Sequence, residues 1–318
     1  SDMGRELGLY FPDVVGALDA EHEQVAGVVD TEPDHELPWR PDWGNASRSK
    51  ETLNGESTAD EIESFMFGQV SFGVLVNDIL RVMGLCPSAI IGYSLGESVG
   101  LLATRTWSSE EMYHRLRASP LFKSQLAGPR EALQAAWKLS PETAADWCAA
   151  VVARPVEKVR AALKNVANVE LLIVNTPREC VIGGLQSAVN EVAGKLSCRS
   201  ILIPGVPTVH FEAAKVVEQE YRELHLLTTT PPEGFRFYST AAGRSYSVSR
   251  EAAAESITAQ ALHGFDFPAL IRQAYDDGVR LFVEIGPQAS CTRMIDRILK
   301  GQTYFARSAS SRGDCEVR

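Results

Sequence analysis

The 318-residue chain is 45% hydrophobic, enough to bury a full core and build one large domain with a smaller companion. Its net charge of −10, with no basic run interleaved with aromatics, argues against nucleic acid as a partner. Gly, Pro, Asn and charged residues interrupt the apolar stretches before the roughly 18 residues a membrane helix needs, and no basic, apolar, small-residue leader opens the chain. The expectation is a cytoplasmic protein without a membrane span.

In chain order, the opening segment to about Gln24 reads as part of a helix and its approach. Residues 32–49, rich in Pro, Trp, Asp and Arg without a clear period, read as a loop. From Ala59 to Met83 apolar residues recur at helical spacing (Phe65, Phe72, Val76, Ile79, Leu80, Met83), and Gly84 stands as a stop. A short strand, Ala89 to Gly92, precedes a helix from Leu95 to about Thr104, and another helix spans Ser109 to Ala118. Segments at 149–152, 156–164, 170–175, 180–183, 188–196 and 200–203 alternate as β-α-β-β-α-β, which predicts a ferredoxin-like subdomain. Mixed α/β then resumes, with helices at 211–224, 250–262 and 268–276 and strands at 236–239 and 281–285.

The predicted architecture is therefore an α/β hydrolase-like large domain with a parallel sheet, contributed by residues 1–145 and 206–318 and interrupted by the small unit at 146–205. Six cysteines (Cys86, Cys148, Cys180, Cys198, Cys291, Cys315) show no C-x-x-C spacing, so neither a metal site nor a disulfide framework is expected.

Gly92-Tyr93-Ser94-Leu95-Gly96 is a G-x-S-x-G pentapeptide between a predicted strand and a predicted helix, the setting of an exposed, strained nucleophilic serine. Its two glycines lack Cβ and permit a tight turn, and the helix start at Leu95 offers N–H groups to an oxyanion. Serine needs a base. His210 lies in a loop between a strand and a helix, His263 is undecided on pattern, and His22, His35, His114 and His225 have polar or helical surroundings that suit solvated side chains.

Several segments together resemble the acyltransferase family of fatty acid and polyketide synthases, which includes the malonyl-CoA:acyl carrier protein transacylases. Gly92-Tyr93-Ser94-Leu95-Gly96-Glu97 is similar to its G-H-S-x-G-E motif. Val174-Asn175-Thr176-Pro177 with Val181-Ile182-Gly183-Gly184 is similar to N-x-P…V-I-S-G, Val209-His210 to the catalytic-histidine loop, and Glu284-Ile285-Gly286-Pro287 to E-x-G-P. Met3-Gly4-Arg5-Glu6-Leu7 resembles the G-M-G-R-x-L segment. A narrower resemblance, from Phe67-Gly68-Gln69-Val70 and Ser119-Pro120-Leu121-Phe122, is to the acyltransferases of polyunsaturated fatty acid synthases.

The resemblance implies ping-pong transfer. Ser94 attacks an acyl thioester, His210 relays the proton, coenzyme A leaves, and the phosphopantetheine thiol of an acyl carrier protein takes the acyl group. No cofactor is bound; coenzyme A thioester is substrate, held by a local basic patch against the chain's overall negative field. The chain would be part of a larger multidomain synthase. Leu95 would serve the oxyanion hole, Tyr93, Asn175 and Val209 would line the acyl site, and a backbone carbonyl from 261–264, assigned to His263, would orient His210.

Three departures matter. The family's G-Q-G-S-Q segment, whose last glutamine completes the oxyanion hole, would precede Met3, and the expectation is that this sequence starts late. Tyr93 replaces the motif histidine, which changes a contact and not the reaction. Counting from Ser94 without gaps, the arginine that binds malonyl carboxylates falls on Ser119; Arg117, two residues away, would face the opposite side of a continuous helix. The pocket is therefore expected to favour a noncarboxylated acyl group over malonyl. Competing readings are a hydrolase of the same fold that clears acyl groups from the carrier protein, and a noncatalytic docking domain; a plain α/β-hydrolase esterase fits the insertion less well.

Overall fold

The computed structural model describes residues 5–27 and 59–310. The sequence expectations for Met3, Gly4, His35, Cys315, the loop at 32–49 and the side chain of His22 lie outside the described residues.

The opening helical segment is two helices, α1 (Arg5–Tyr10) and α2 (Pro12–Gly27), with Pro12 at the first position of the second, where its missing N–H costs nothing. The long helix α3 (Ala59–Val82) follows, stopped by Gly84 at φ +83°. Then come β1 (Ala89–Ile91), α4 (Gly96–Ala103) and α5 (Ser109–Ala118), whose N-terminus is capped by Ser108 Oγ accepting from Glu111 N at 3.3 Å. One helical span corrects the expectation that polar residues cut every apolar stretch short. Phe65–Val82 is long and apolar enough for a membrane helix, with a mean hydropathy of 1.3. Phe72, Leu75, Val76 and Ile79 nevertheless bury into the core, and Asn77 Nδ2 donates to the Ala103 carbonyl of α4 at 2.9 Å, so α3 packs as an interior helix.

A π-helical turn, Leu121–Gln125, leads into α6 (Glu131–Trp137) and α7 (Pro141–Ala145). Next come β2 (Trp147–Val152), α8 (Val156–Leu163), β3 (Val169–Thr176), β4 (Glu179–Leu185), α9 (Gln186–Lys195) and β5 (Ser200–Ile203). The chain then forms a 3-10 helix, Glu212–Val217, and α10 (Glu218–Leu224), so the single helix expected over 211–224 is a tighter helix joined to an α-helix. The rest comprises β6 (Arg236–Ser239), β7 (Arg244–Tyr246), α11 (Arg250–His263), β8 (Phe265–Asp266), α12 (Phe267–Asp276), β9 (Leu281–Glu284), α13 (Ser290–Ile298) and β10 (Phe305–Ser308).

The strands form three sheets among the described residues. Strands β2 to β5 pair antiparallel in the order β5-β2-β4-β3, and β8, from the far side of α11, adds to the edge parallel to β3. The chain after 206 thus contributes directly to this sheet. Gly264 makes that possible: at φ +64°, a side-chain Cβ there would lie 1.9 Å from the Leu172 carbonyl oxygen. One parallel sheet was expected for the remainder, and the structure corrects this. Strand β6 runs parallel to β1, but β7 folds back antiparallel through a turn ending on Gly243 at φ +65°, while β9 and β10 form a separate parallel pair. An antiparallel hairpin needs only a short turn, which the segment 240–243 supplies.

Three apolar clusters hold these parts together. One joins α3 and α4 to α10 and α11 through Leu75, Leu101, Trp107 and Ile257. A second fills the space between the five-stranded sheet and α12 and α13 with Trp147, Phe211, Tyr238 and Leu270. The third lies between that sheet and α8 and α9, built on Val159, Ile182 and Val192.

Candidate active site

Strand β1 ends in the pentapeptide, and the next helix starts at Gly96. Gly92 is required by contact, because a Cβ there would stand 2.2 Å from the Glu97 backbone nitrogen; Gly96 has open space and no positive φ, so only the first glycine carries the turn. Ser94 sits at φ +53°, in the left-handed region that costs a non-glycine residue about 1 to 3 kcal/mol. Its Oγ lies 2.7 Å from His210 Nε2.

His210 is buried, also has positive φ (+71°), and is clamped twice by the last turn of α11. Its backbone N–H donates to the Ala261 carbonyl at 2.6 Å, and Nδ1 lies 2.9 Å from the Gln260 carbonyl oxygen. A carbonyl only accepts, so Nδ1 carries the proton and Nε2 is left to accept the Ser94 hydroxyl proton. Burial pushes the His210 pKa down to about 4, partly opposed by the Gln260 carbonyl, so the imidazole is a neutral base at physiological pH. The structure corrects the orienting residue expected at His263: the carbonyl belongs to Gln260, and His263 is exposed at the end of the helix.

The Leu95 N–H donates to no protein acceptor among the described residues and stands at the N-terminus of α4, where an oxyanion would be met. Tyr93 lines the cavity beside Ser94, packed edge-on against Phe265 and Phe267, with its hydroxyl donating to Asn175 Oδ1 at 2.7 Å. Burial raises the Tyr93 pKa well above its ordinary value, so it remains a phenol. Asn175 is itself buried behind Tyr93 and outside the cavity wall; it supports that ring and is not a wall residue.

Ser94 and His210 open into a cavity of about 1680 Å³ whose wall includes Val209, Phe122, Met112, Ile257 and Gln260. Ser119 and Arg117 are not among its lining residues. Helix α5 ends at Ala118, so counting along it no longer predicts where Ser119 points; Ser119 Oγ instead accepts from Leu121 N at 3.2 Å. Arg117 is exposed, with Nη1 donating to Tyr113 Oη at 2.9 Å and its guanidinium 5.7 Å from that ring's centre. The arginines that do line the cavity, Arg236 and Arg280, stand at the starts of β6 and β9. Arg236 pairs in register with Ala89, the first residue of β1, whereas Ser94 follows that strand's far end.

Gln260 is the residue that sequence reading missed. Its carbonyl orients the base, its side-chain Nε2 donates to the Ser94 carbonyl at 3.3 Å, and no motif announces it.

No family model matches the chain. A curated relative, one of the polyunsaturated fatty acid synthase subunits of Thraustochytrium sp., is 27% identical over 255 residues, covering 72% of this chain and 12% of the relative. Among solved structures, the malonyl-CoA:acyl carrier protein transacylase of Xanthomonas oryzae superimposes with a TM-score of 0.72 at 20% identity, over 98% of this chain and 91% of that one. The acyltransferase domain from the second module of the salinomycin polyketide synthase gives a TM-score of 0.71 at 20% identity, over 100% of this chain and 67% of that one. The chain therefore has the fold shared by the acyltransferase domains of polyketide synthases and the malonyl-CoA:acyl carrier protein transacylases, and a polyunsaturated fatty acid synthase is among its curated relatives.

Proposed function

We propose that this chain is an acyltransferase that moves an acyl group from a coenzyme A thioester to the phosphopantetheine thiol of an acyl carrier protein, within a larger synthase. The observation that carries the reading is the relay Ser94 Oγ, His210 Nε2, His210 Nδ1 and Gln260 carbonyl, at 2.7 and 2.9 Å. In the first half-reaction His210 takes the Ser94 proton as Oγ attacks the thioester, Leu95 N–H meets the oxyanion, and the imidazolium returns the proton to the departing thiolate. In the second, His210 deprotonates the carrier thiol, which attacks the acyl-serine, and the proton returns to Ser94. The backbone carbonyl fixes the tautomer and ring orientation without a carboxylate.

In this reading the unit at 146–205 is ferredoxin-like; the strand order β5-β2-β4-β3, antiparallel throughout, supports it. The substrate is a noncarboxylated acyl group. Val209, Phe122, Met112 and Ile257 offer apolar wall, and the lining arginines belong to the opposite strand ends from Ser94, so a malonyl carboxylate would enter without the bidentate cation it needs.

An editing hydrolase would use the same acyl-serine with water as acceptor, a reading also suited by the placement of the lining arginines among the described residues, Arg236 and Arg280, at the strand ends away from Ser94. Intact-protein mass after incubation with acetyl-, medium-chain acyl- and malonyl-CoA, with and without holo carrier protein, tests both. The expected result is an acyl adduct on Ser94 that moves to the carrier protein. Adducts lost to water at the same rate with and without carrier would establish the hydrolase, and absence of any adduct would remove both readings in favour of a docking domain.

A further inference from the structure

We propose that Glu97 is a positioning residue for the transfer, a buried acceptor that sets the distance between the helix carrying the base's carbonyl and the turn carrying the nucleophile. The inference rests on Ser94 being the acylated nucleophile. Glu97 is 4% exposed and lies one helical turn after Ser94, on α4. One of its oxygens, Oε2, accepts from Thr240 N at 3.1 Å and Thr240 Oγ1 at 2.6 Å, and the other from Ser256 Oγ. Gln260 Nε2 stands 3.4 Å from Oε2 and 3.3 Å from the Ser94 carbonyl oxygen.

Ser256 and Gln260 are one turn apart on α11, so two contacts to one carboxylate fix both how far that helix slides and how it is rotated. The same turn of α11 presents the Gln260 carbonyl to His210 Nδ1 and the Ala261 carbonyl to His210 N. Glu97 therefore joins the element that begins at the nucleophile to the element that aims the base. The apolar face of α11 sets the small side chains of Ala253, Ala254 and Ala261 beside Ile257 and Leu262, and the Glu97 contacts add directional hydrogen bonds to that packing.

The Gln260 amide shows the same constraint. Both neighbours of Nε2 are acceptors, so the amide has only one sense, and its Oε1 is left buried without a partner. Glu97 itself has no cationic partner among the described residues, and burial raises its pKa. A group chosen for stability alone would be apolar here.

The test compares Glu97→Leu, Glu97→Gln and Gln260→Met by the first-order rate constant of Ser94 acylation at saturating acyl-CoA, with folding checked by circular dichroism. Glu97→Leu is expected to lower that constant by about 10- to 100-fold with half-saturation changed less than about threefold, as a misaimed base predicts. Glu97→Gln keeps an acceptor for Thr240 and Gln260 and a donor for Ser256, and is expected to recover to within about fivefold of wild type. Should Glu97→Leu fail to fold, Gln260→Met, which leaves the backbone carbonyl and the Thr240 and Ser256 anchors, is expected to fall about tenfold. A folded Glu97→Leu with the wild-type constant, a loss confined to half-saturation, or Glu97→Gln as impaired as Glu97→Leu would each overturn the proposal. If wild type accepts no acyl-CoA, the transferase reading fails on its own. Labelling of Ser94 by a fluorophosphonate, which needs only the serine and its base, then reads the same variants in the same expected order.

Discussion

Two polar networks flank Ser94 and differ in where they end. On one side, Tyr93 leads to Asn175, then to Glu179 at 3.2 Å, then to Arg297 at 2.8 Å, whose side chain is 57% exposed. On the other, Glu97, Thr240, Ser256 and Gln260 are all buried, and Ser239 closes the group through a 2.6 Å contact to Ser256 Oγ. The first network ends in water, which can replace any partner it loses. The second has no such exit, so water does not replace a donor that is lost there, and the inner cluster is the more costly of the two to disrupt.

Both networks converge on Ser94, the proposed nucleophile, and its removal is the largest expected effect. Ser94→Ala should lower acyl-enzyme formation by at least about 10⁴-fold, read by intact mass, with the fold retained by circular dichroism because only Oγ is removed and the backbone of the turn is unchanged. A persistent acyl adduct in that variant would place the nucleophile elsewhere and leave the comparison without its centre.

Next comes the base. His210→Ala should cost acylation about 10³-fold or more, whereas His263→Ala should stay within about twofold, since the orienting carbonyl comes from Gln260. The reverse ranking of acylation rates would return the role to His263.

The comparison itself is sharpened by stability. Thr240→Val, on the buried side, should cost about 1 to 3 kcal/mol, and Arg297→Ala, on the exposed side, about 0 to 1 kcal/mol, both from urea midpoints at constant slope. Equal losses would show that water does not relieve the outer network.

Acid should act through the buried histidines. His225 was expected to be solvated, but the structure buries it, with Nδ1 2.7 Å from the Tyr221 carbonyl oxygen. His210 and His225 are held neutral, with pKa values pushed by burial from the ordinary 6.5 to about 4. The unfolded chain therefore binds more protons between those values, and their contribution to stability falls as pH drops from about 6.5 through about 4. Unfolding free energies across that window check the sign; a contribution that rises toward pH 4 would contradict it.

The smallest expected effect concerns substrate choice. Ser119→Arg should leave the ratio of malonyl to acetyl acylation within about twofold, because Ser119 caps a helix end away from the cavity wall. A switch toward malonyl would bring that position back to the pocket.

Legibility followed the range of the interactions. The pentapeptide between strand and helix is local, so Ser94 and its strained turn were readable, as were α3, α5 and the β-α-β-β-α-β order. His210 emerged through the resemblance of its loop, and Val209 followed with it. The short strands β7, β8 and β10 were not recognised: two to four residues carry too little alternation to stand out, and each forms only because a partner strand is already in place.

By itself the sequence determined most of the helices, the longer strands and the strained turn at Ser94, because helical periodicity, a glycine against a backbone nitrogen and a serine on a tight turn are properties of neighbouring residues. Only the tertiary structure decided what aims the base and what walls the pocket. A backbone carbonyl such as that of Gln260 is chemically the same at every position, so nothing in its side chain marks it. The place of Ser119 depends on where α5 ends and how the π-helical turn redirects the chain, and the neutrality of His210 depends on burial by segments far away in sequence.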